Sequence, residues 1–315
     1  MDYLDAFDFD SSYFNTLLHQ VIHDQNLSTL PIDLQQDIKT LVTTPGKRIR
    51  PLLLLLTTTL GKCNKKEAYT AAVAVELLHL SSLVHDDIID KATVRRNQMT
   101  LNTKYNDYTA LHVGNYLLNK SISLFSSFKN KELHTAVAQA MSSLCSGEYV
   151  QAHDFFNFQL TEEQYLQKSY KKTGTLLALS FQVGSIIAKL DSSTSELLQE
   201  LAHDIGISYQ IYDDLSDFQV DSTLKNTQQD LKNGILTLPT IYALQDDDLR
   251  NDILLLNSHT SDSQFTKVYD KIKTSDYLLK SQEVCQIFVA DAKKKVLQLP
   301  KQQDAFLTLI SSLVK

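Results

Sequence analysis

Eight glycines and five prolines are all that punctuate this chain of 315 residues. Sheets and hairpins consume Gly and Pro at their turns, so this scarcity points to an all-α chain of long helices. The apolar periodicity agrees. Residues 66–91 (KEAYTAAVAVELLHLSSLVHDDIIDK) hold neither breaker and repeat apolar positions at three- and four-residue spacing. Residues 132–150, 162–190 and 194–219 read as helices in the same way. Pro45-Gly46 separates the segment that follows, Asn233-Gly234 marks a turn, and Pro239 suits the first turn of a helix. No linker, repeat or low-complexity tract intervenes. The expectation is one large helical bundle over residues 1–315 around a deep central cavity.

Composition narrows the function. A hydrophobic share of 43% suits a sizeable core, and the net charge of −7 argues against a nucleic-acid scaffold, which needs a basic face. Cys63, Cys145 and Cys285 lack the paired spacing of a zinc site and suggest a reducing compartment. The opening MDYLDAFDFD lacks the basic-then-apolar layout of a signal peptide. The longest aliphatic run, Leu52 to Leu56, falls far short of the ~20 residues of a bilayer span. A cytoplasmic protein without stable membrane insertion is expected.

Two acidic clusters carry the chemistry. In His85-Asp86-Asp87-Ile88-Ile89-Asp90, helical geometry stacks Asp86 over Asp90 and sets Asp87 about 100° round, so three carboxylates share one rim. Asp213-Asp214-Leu215-Ser216-Asp217 repeats that spacing on another helix. Either cluster alone reads as a solvated face. Two of them, each within an apolar helix, point to a shared site where six carboxylates would repel unless cations stood among them. Carboxylate oxygens suit hard ions such as Mg²⁺, which keeps waters and bridges to substrate phosphates.

Basic elements surround the clusters: Lys47, Arg48 and Arg50 in GKRIRP, Arg95-Arg96, Lys171-Lys172-Thr173-Gly174 and Lys225, with His79 just under two turns before Asp86. Arg forks and Lys point charges bind diphosphates. Each basic pair alone reads as solvated charge, and His79 alone as a core histidine.

Taken in order, GKRIRP at 46, ELLHLSSLVHDDIID at 76, VRRNQMT at 94, YKKTG at 170, YQIYDDLSD at 209 and DLKNGILTLP at 230 resemble the trans-isoprenyl diphosphate synthases, the polyprenyl synthetase family. The resemblance implies a prenyltransferase that condenses isopentenyl diphosphate with a geranyl, farnesyl or geranylgeranyl diphosphate. It implies that Asp86, Asp87, Asp90, Asp213, Asp214 and Asp217 hold about three Mg²⁺ ions on the allylic diphosphate. Arg95, Lys172 and Lys225 would clamp that diphosphate, and Lys47, Arg50, His79 and Arg96 would bind isopentenyl diphosphate. Thr173 and Gln210 would face the developing allylic cation. Asn97, Asn115 and Gln228 depart from the family pattern, where Gly, Asp and Gly are usual. A homodimer is the family expectation, with a helper subunit as the alternative.

Ser81 and Ser82 lie one turn before Asp86. Family members with bulky aromatics there make short products, so small serines imply a product of geranylgeranyl length or longer. Equally, these serines could serve close helix packing. Rival readings are a class I terpene or squalene-type synthase, an HD-type phosphohydrolase and a non-catalytic partner chain. A full DDLSD and the GKRIRP run argue against the first, the want of further spaced His ligands against the second, and six retained aspartates against the third.

Overall fold

The computed structural model describes residues 7, 9–23, 27–44, 46–95, 98–219 and 229–314. Pro45, Arg96, Asn97, Lys225 and Gln228 lie outside them. The chain is all-α, as the scarcity of breakers predicts. Its helices are α1 (Ser11–Ile22), α2 (Ile32–Thr43), α3 (Ile49–Thr59), α4 (Lys65–Ile89), α5 (Leu101–Lys104), α6 (Asp107–Ser126), α7 (Lys131–His153) and α8 (Glu162–Ser169). They continue as α9 (Thr175–Ala188), α10 (Ser192–Gln219), α11 (Gln229–Lys232), α12 (Leu238–Ala243), α13 (Asp247–Leu254), α14 (Asp262–Lys273), α15 (Tyr277–Val296) and α16 (Gln303–Leu313). Among the described residues the β structure is one antiparallel pair, β1 (Val94–Arg95) and β2 (Gln98–Met99), with Val94 opposite Met99. Two residues per strand give no alternation for sequence periodicity to register.

The chain forms two compact units, Met1–Ala138 with Leu179–Ser195, and Gln139–Ala178 with Glu196–Lys315. In the first, α4 is buried on nearly every side: Ala71 to Val75 and Leu77 are fully inaccessible. A helix apolar all round belongs at the centre of its unit. Asn64 starts it, its side chain accepting from Lys66 N. Helix α6 packs along α4 through small residues: Ser81 Oγ donates to Gly114 O (2.9 Å) and Ser121 Oγ to Ala74 O (2.7 Å). A Cβ on Gly114 would stand 2.4 Å from the His85 ring, so a larger residue there would displace that ring. The α2–α3 connection is pinned by Arg48, which is buried with left-handed φ of 45°. Its guanidinium bonds Glu76 on α4 (2.5 Å) and the carbonyl of Val42 (2.7 Å).

Residues 162–190 do not run as one regular helix, and of them only those up to Ala178 belong to the second unit. The YKKTG stretch, Tyr170–Gly174, widens into a π turn between α8 and α9. There Gly174 meets Gly206 of α10 so closely that a Cβ on Gly206 would lie 2.5 Å from Gly174 Cα. The far end of α10 is covered by α11 to α14 through a cluster including Phe218, Leu231, Ile253, Phe265 and Tyr269. Pro239 sits in the first turn of α12 and Gly234 takes φ of 77°, as the breaker pattern predicts.

Candidate active site

In the first unit the DDIID motif closes α4, with Asp90 as its C-cap residue. Asp86 and Asp90 are partly exposed, whereas Asp87 is buried. Arg95 of β1 donates from Nε to Asp87 Oδ1 at 2.6 Å. Burial raises the Asp87 pKa, and the Arg95 guanidinium opposes that shift. The hairpin thus returns a cation onto the motif that precedes it. Asn102 adds a donor from α5 to the carbonyl of Asp87 (3.2 Å).

Arg50 Nη1 and His79 Nε2 stand 3.0 Å apart. Arginine has no acceptor, so His79 Nε2 must accept and its ring is neutral in this contact. Arg50 and His79 are thereby brought together as the sequence suggests, while Lys47 stands exposed on the α2–α3 connection. Arg48 of the same basic run turns inward to Glu76 and serves structure. His85, half-buried, has its pKa lowered by burial; a hydrogen bond that its ring donates to Asn115 of α6 opposes that shift. Ser81 is spent on the α6 contact, so close packing accounts for its size. Ser82 is partly exposed and donates to His79 O within its own helix.

The second unit repeats the pattern. In DDLSD, Asp213 is exposed and Asp217 partly exposed, while Asp214 is buried. Thr173 donates to Gln210 Oε1 (2.5 Å), Gln210 Nε2 donates to Asp214 Oδ1 (2.6 Å), and Tyr165 of α8 donates to Asp214 Oδ2 (2.6 Å). The Gly174–Gly206 crossing sets this register, because Thr173 adjoins Gly174 and Gln210 lies one turn beyond Gly206. Burial, then the neighbouring Asp230, push the Asp214 carboxyl up to about 8, against the hydrogen bonds from Tyr165 and Gln210. Asp217 rises to about 7 for the same first two reasons, with Asp213 adding to the repulsion. Tyr269 of α14 donates to the Asp217 carbonyl.

Three participants escape sequence reasoning. Tyr165 and Lys168 lie one turn apart on α8, and Lys168 feels both Asp154 and Asp214. Asp230 hydrogen-bonds Asp217. Asp230 opens the DLKNG run, but nothing local marks it as a neighbour of DDLSD. Lys172 is partly exposed on the π turn.

Among the described residues, no three carboxylate, imidazole or thiolate groups stand together as a finished metal cage. The donor set nevertheless fits a hard divalent cation: all-oxygen ligands, buried and then crowded until two carboxyls resist ionisation, are the chemistry such an ion relieves.

The polyprenyl synthetase family profile matches residues 33–273, and the chain belongs to that family. It is a prenyltransferase, as the family-order motifs imply. It is 34% identical over 258 residues, 81% of this chain and 74% of the other, to heptaprenyl diphosphate synthase component 2 of Bacillus subtilis. Its structure is similar to that of heptaprenyl diphosphate synthase from Staphylococcus aureus (TM-score 0.90, 29% identity, 96% of each chain). It is also similar to a decaprenyl diphosphate synthase from Rhodobacter capsulatus (TM-score 0.90, 25% identity, 99% and 97% covered). No described helix is long and apolar enough to cross a membrane.

Proposed function

We propose that this chain condenses isopentenyl diphosphate with an allylic diphosphate (geranyl, farnesyl or geranylgeranyl) to give an all-trans polyprenyl diphosphate of geranylgeranyl length or longer. The observation that carries this reading is the repeated build of the two motifs. In each, the first and last aspartates are the more exposed and the second is buried and braced, by Arg95 in one and by Tyr165 and Gln210 in the other. A motif whose middle carboxylate fixes the helix and whose outer pair faces outward is suited to hold cations on a diphosphate. All six aspartates would hold about three Mg²⁺ ions. Asp86 with Asp90, and Asp213 with Asp217, form the more exposed face of each motif, and Asp87 and Asp214 orient it.

When bound, the cations neutralise charge building on the departing diphosphate. Arg95, Lys172 and Lys225 clamp that group. Lys47, Arg50, His79 and Arg96 hold isopentenyl diphosphate, so that its double bond is positioned for attack. Thr173 and Gln210 present oxygen dipoles to the allylic cation; the Gln210 amide is oriented by Asp214, since its N–H is committed there. The proton lost afterwards goes to the released diphosphate.

Both compact units act as one catalytic domain, a reading supported by a family match that runs through both. A product of long-chain type is supported by the heptaprenyl and decaprenyl relatives and by the small Ser82. A subunit partner, a second copy or a helper chain, is favoured by an apolar stripe on α6: Tyr108, Leu111 and Ile122 are all exposed at helical spacing. Unpaired Cys63, Cys145 and Cys285 support a reducing cytoplasm. The test is incubation of the purified chain with radiolabelled isopentenyl diphosphate, farnesyl diphosphate and Mg²⁺, with products sized by chromatography. Chains of four or more isoprene units are expected; no Mg²⁺-dependent incorporation, alone or with a cell extract supplying helper chains, would end the proposal.

A further inference from the structure

At the end of α4 remote from its aspartates, a cavity of about 670 Å³ opens in the first unit. At 1.5 Å per residue, Lys66 lies about 30 Å from Asp86 along the helix. The apolar part of the lining is Phe128, Leu133, Ile186 and Ile187. Lys66, Lys129 and Lys189 stand at its rim, all exposed. Here α4 and α7 begin while α3, α6 and α9 end. The α3 and α9 ends are tied together by Lys62 N donating to Ala188 O (3.2 Å). Asn64 and Asn130 cap α4 and α7.

The charge of this end runs against that of the chain. Lys62, Lys65, Lys66, Lys129, Lys131 and Lys189 cluster here, opposed by Glu67 and Glu132, in a protein of net charge −7. Asp10 is engaged by Lys65 (2.9 Å), and Asp191 caps α10 through Thr194. Among the described residues, no carboxylate forms an ion pair with Lys62, Lys66, Lys129, Lys131 or Lys189. Lysines after α3, α6 and α9 complement helix dipoles. Lys65, Lys66 and Lys131, in the first turns of α4 and α7, stand where the dipole already concentrates positive charge. Helix electrostatics disfavours that placement, which an external anion would reverse. Phosphate charge alone would need no apolar floor, and an apolar partner alone would need no lysine ring. The combination is that of a surface that meets the headgroup and upper acyl layer of a bilayer.

We propose that this lysine-ringed cavity is a docking site for an anionic phospholipid surface, the lysines taking headgroup phosphates and the apolar floor admitting an acyl chain. It stands apart from the diphosphate chemistry, so docking leaves the aspartate end of α4 clear. The test is co-sedimentation of the full chain with vesicles of phosphatidylcholine alone or mixed with phosphatidylglycerol, at low and high NaCl. Salt-sensitive binding to the mixed vesicles is expected, with little to phosphatidylcholine. Each lysine at an anionic surface contributes roughly fivefold, so the triple variant K66E/K129E/K189E should lose at least about a hundredfold. Its circular dichroism should be unchanged, and K66R/K129R/K189R should bind as the wild type does. Absence of binding, equal binding to both vesicles, or retained binding by the triple variant overturns the proposal. Release by inorganic phosphate at matched ionic strength also overturns it, in favour of a free-phosphate site. The assay contains no isoprenoid substrate, so its failure is separate from any failure of prenyl transfer.

Discussion

Substituting Gly206 by alanine should separate activity from stability. The new Cβ would stand 2.5 Å from Gly174 Cα, where ordinary contact begins at 3.4 Å. The obstructing atom is backbone, so no side chain can swing aside. The π turn and α10 must part by roughly 1 Å. Overpacking of that kind costs about 1–3 kcal/mol, and alanine returns about 1 kcal/mol of helix propensity. The net loss is about 0–2 kcal/mol, a few degrees in Tm. Activity should fall much further, because Thr173 and Gln210 flank the crossing and their 2.5 Å contact registers one on the other. A misplacement near 1 Å costs about 100-fold in rate. Steady-state condensation assays should therefore show kcat down about 100-fold with the KM for isopentenyl diphosphate little changed, and circular dichroism should show cooperative melting close to wild type.

Gly147 supplies the control. A Cβ there would meet its nearest neighbour, Lys171 Cβ, at 3.4 Å, an ordinary contact. Gly147→Ala should stabilise by about 0.5–1 kcal/mol and leave kcat alone. Undiminished kcat in Gly206→Ala, or equal damage from Gly147→Ala, would refute the close-crossing account.

Removing the Glu76 carboxylate strands the buried Arg48 guanidinium, both side chains being 6% exposed; Glu76→Ala should lose about 3–5 kcal/mol in urea unfolding, and a loss below about 1 kcal/mol would show the pair to be solvated. Ser82→Phe should shorten the product when chain lengths are sized, whereas an unchanged length would remove Ser82 from length control. In EDTA, Asp214 and Asp217 carry folded pKa values of about 8 and 7 against an ordinary 3.8. The folded chain then binds more protons than the unfolded one between about pH 4 and pH 8, so their contribution to stability falls as pH rises through that window. Thermal melts of Asp214→Asn should show a shallower fall, and a slope equal to wild type would discount the shift; Mg²⁺ should stabilise the wild type more at pH 8.5 than at pH 6. Cys63 and Cys145 are exposed, while Cys285 is buried with its thiol pushed up to about 11. A thiol reagent at pH 8 should label two cysteines quickly and the third only on denaturation, and rapid labelling of all three would contradict that burial.

What the sequence discloses and withholds divides by range. Helix boundaries follow from local breakers and caps, so α4, α7 and α10 were legible within a few residues. The aspartate rims were legible because i and i+4 share a face on any helix. Burial of the middle carboxylates was not, because their partners come from elsewhere: Arg95 from a hairpin too short to signal itself, Tyr165 from a helix on which it reads as ordinary core. The π turn was hidden for the same reason. YKKTG has no local feature against regular helix beyond one glycine, and its widening coincides with the meeting of Gly174 and Gly206 from distant segments. Within GKRIRP, three cations looked alike; only Glu76, on another helix, draws Arg48 inward and leaves Lys47 and Arg50 on the accessible side.

The two acidic motifs reach one arrangement by different devices. One middle aspartate is held by a guanidinium, the other by a phenol and an amide. Braces that differ in chemistry and in chain position, yet leave the same outer pair exposed, are hard to derive from the requirements of packing alone. Packing would be satisfied more cheaply by an apolar residue at either buried position, since an uncompensated buried carboxylate costs several kcal/mol. Retaining a carboxylate there, with dedicated donors, makes sense when the outer pair must be presented at fixed geometry to highly charged ligands. The bracing is therefore a functional expenditure, and replacing Tyr165 by phenylalanine should raise stability or leave it near unchanged only if Asp214 becomes protonated, while weakening Mg²⁺-dependent turnover at neutral pH more than at high pH.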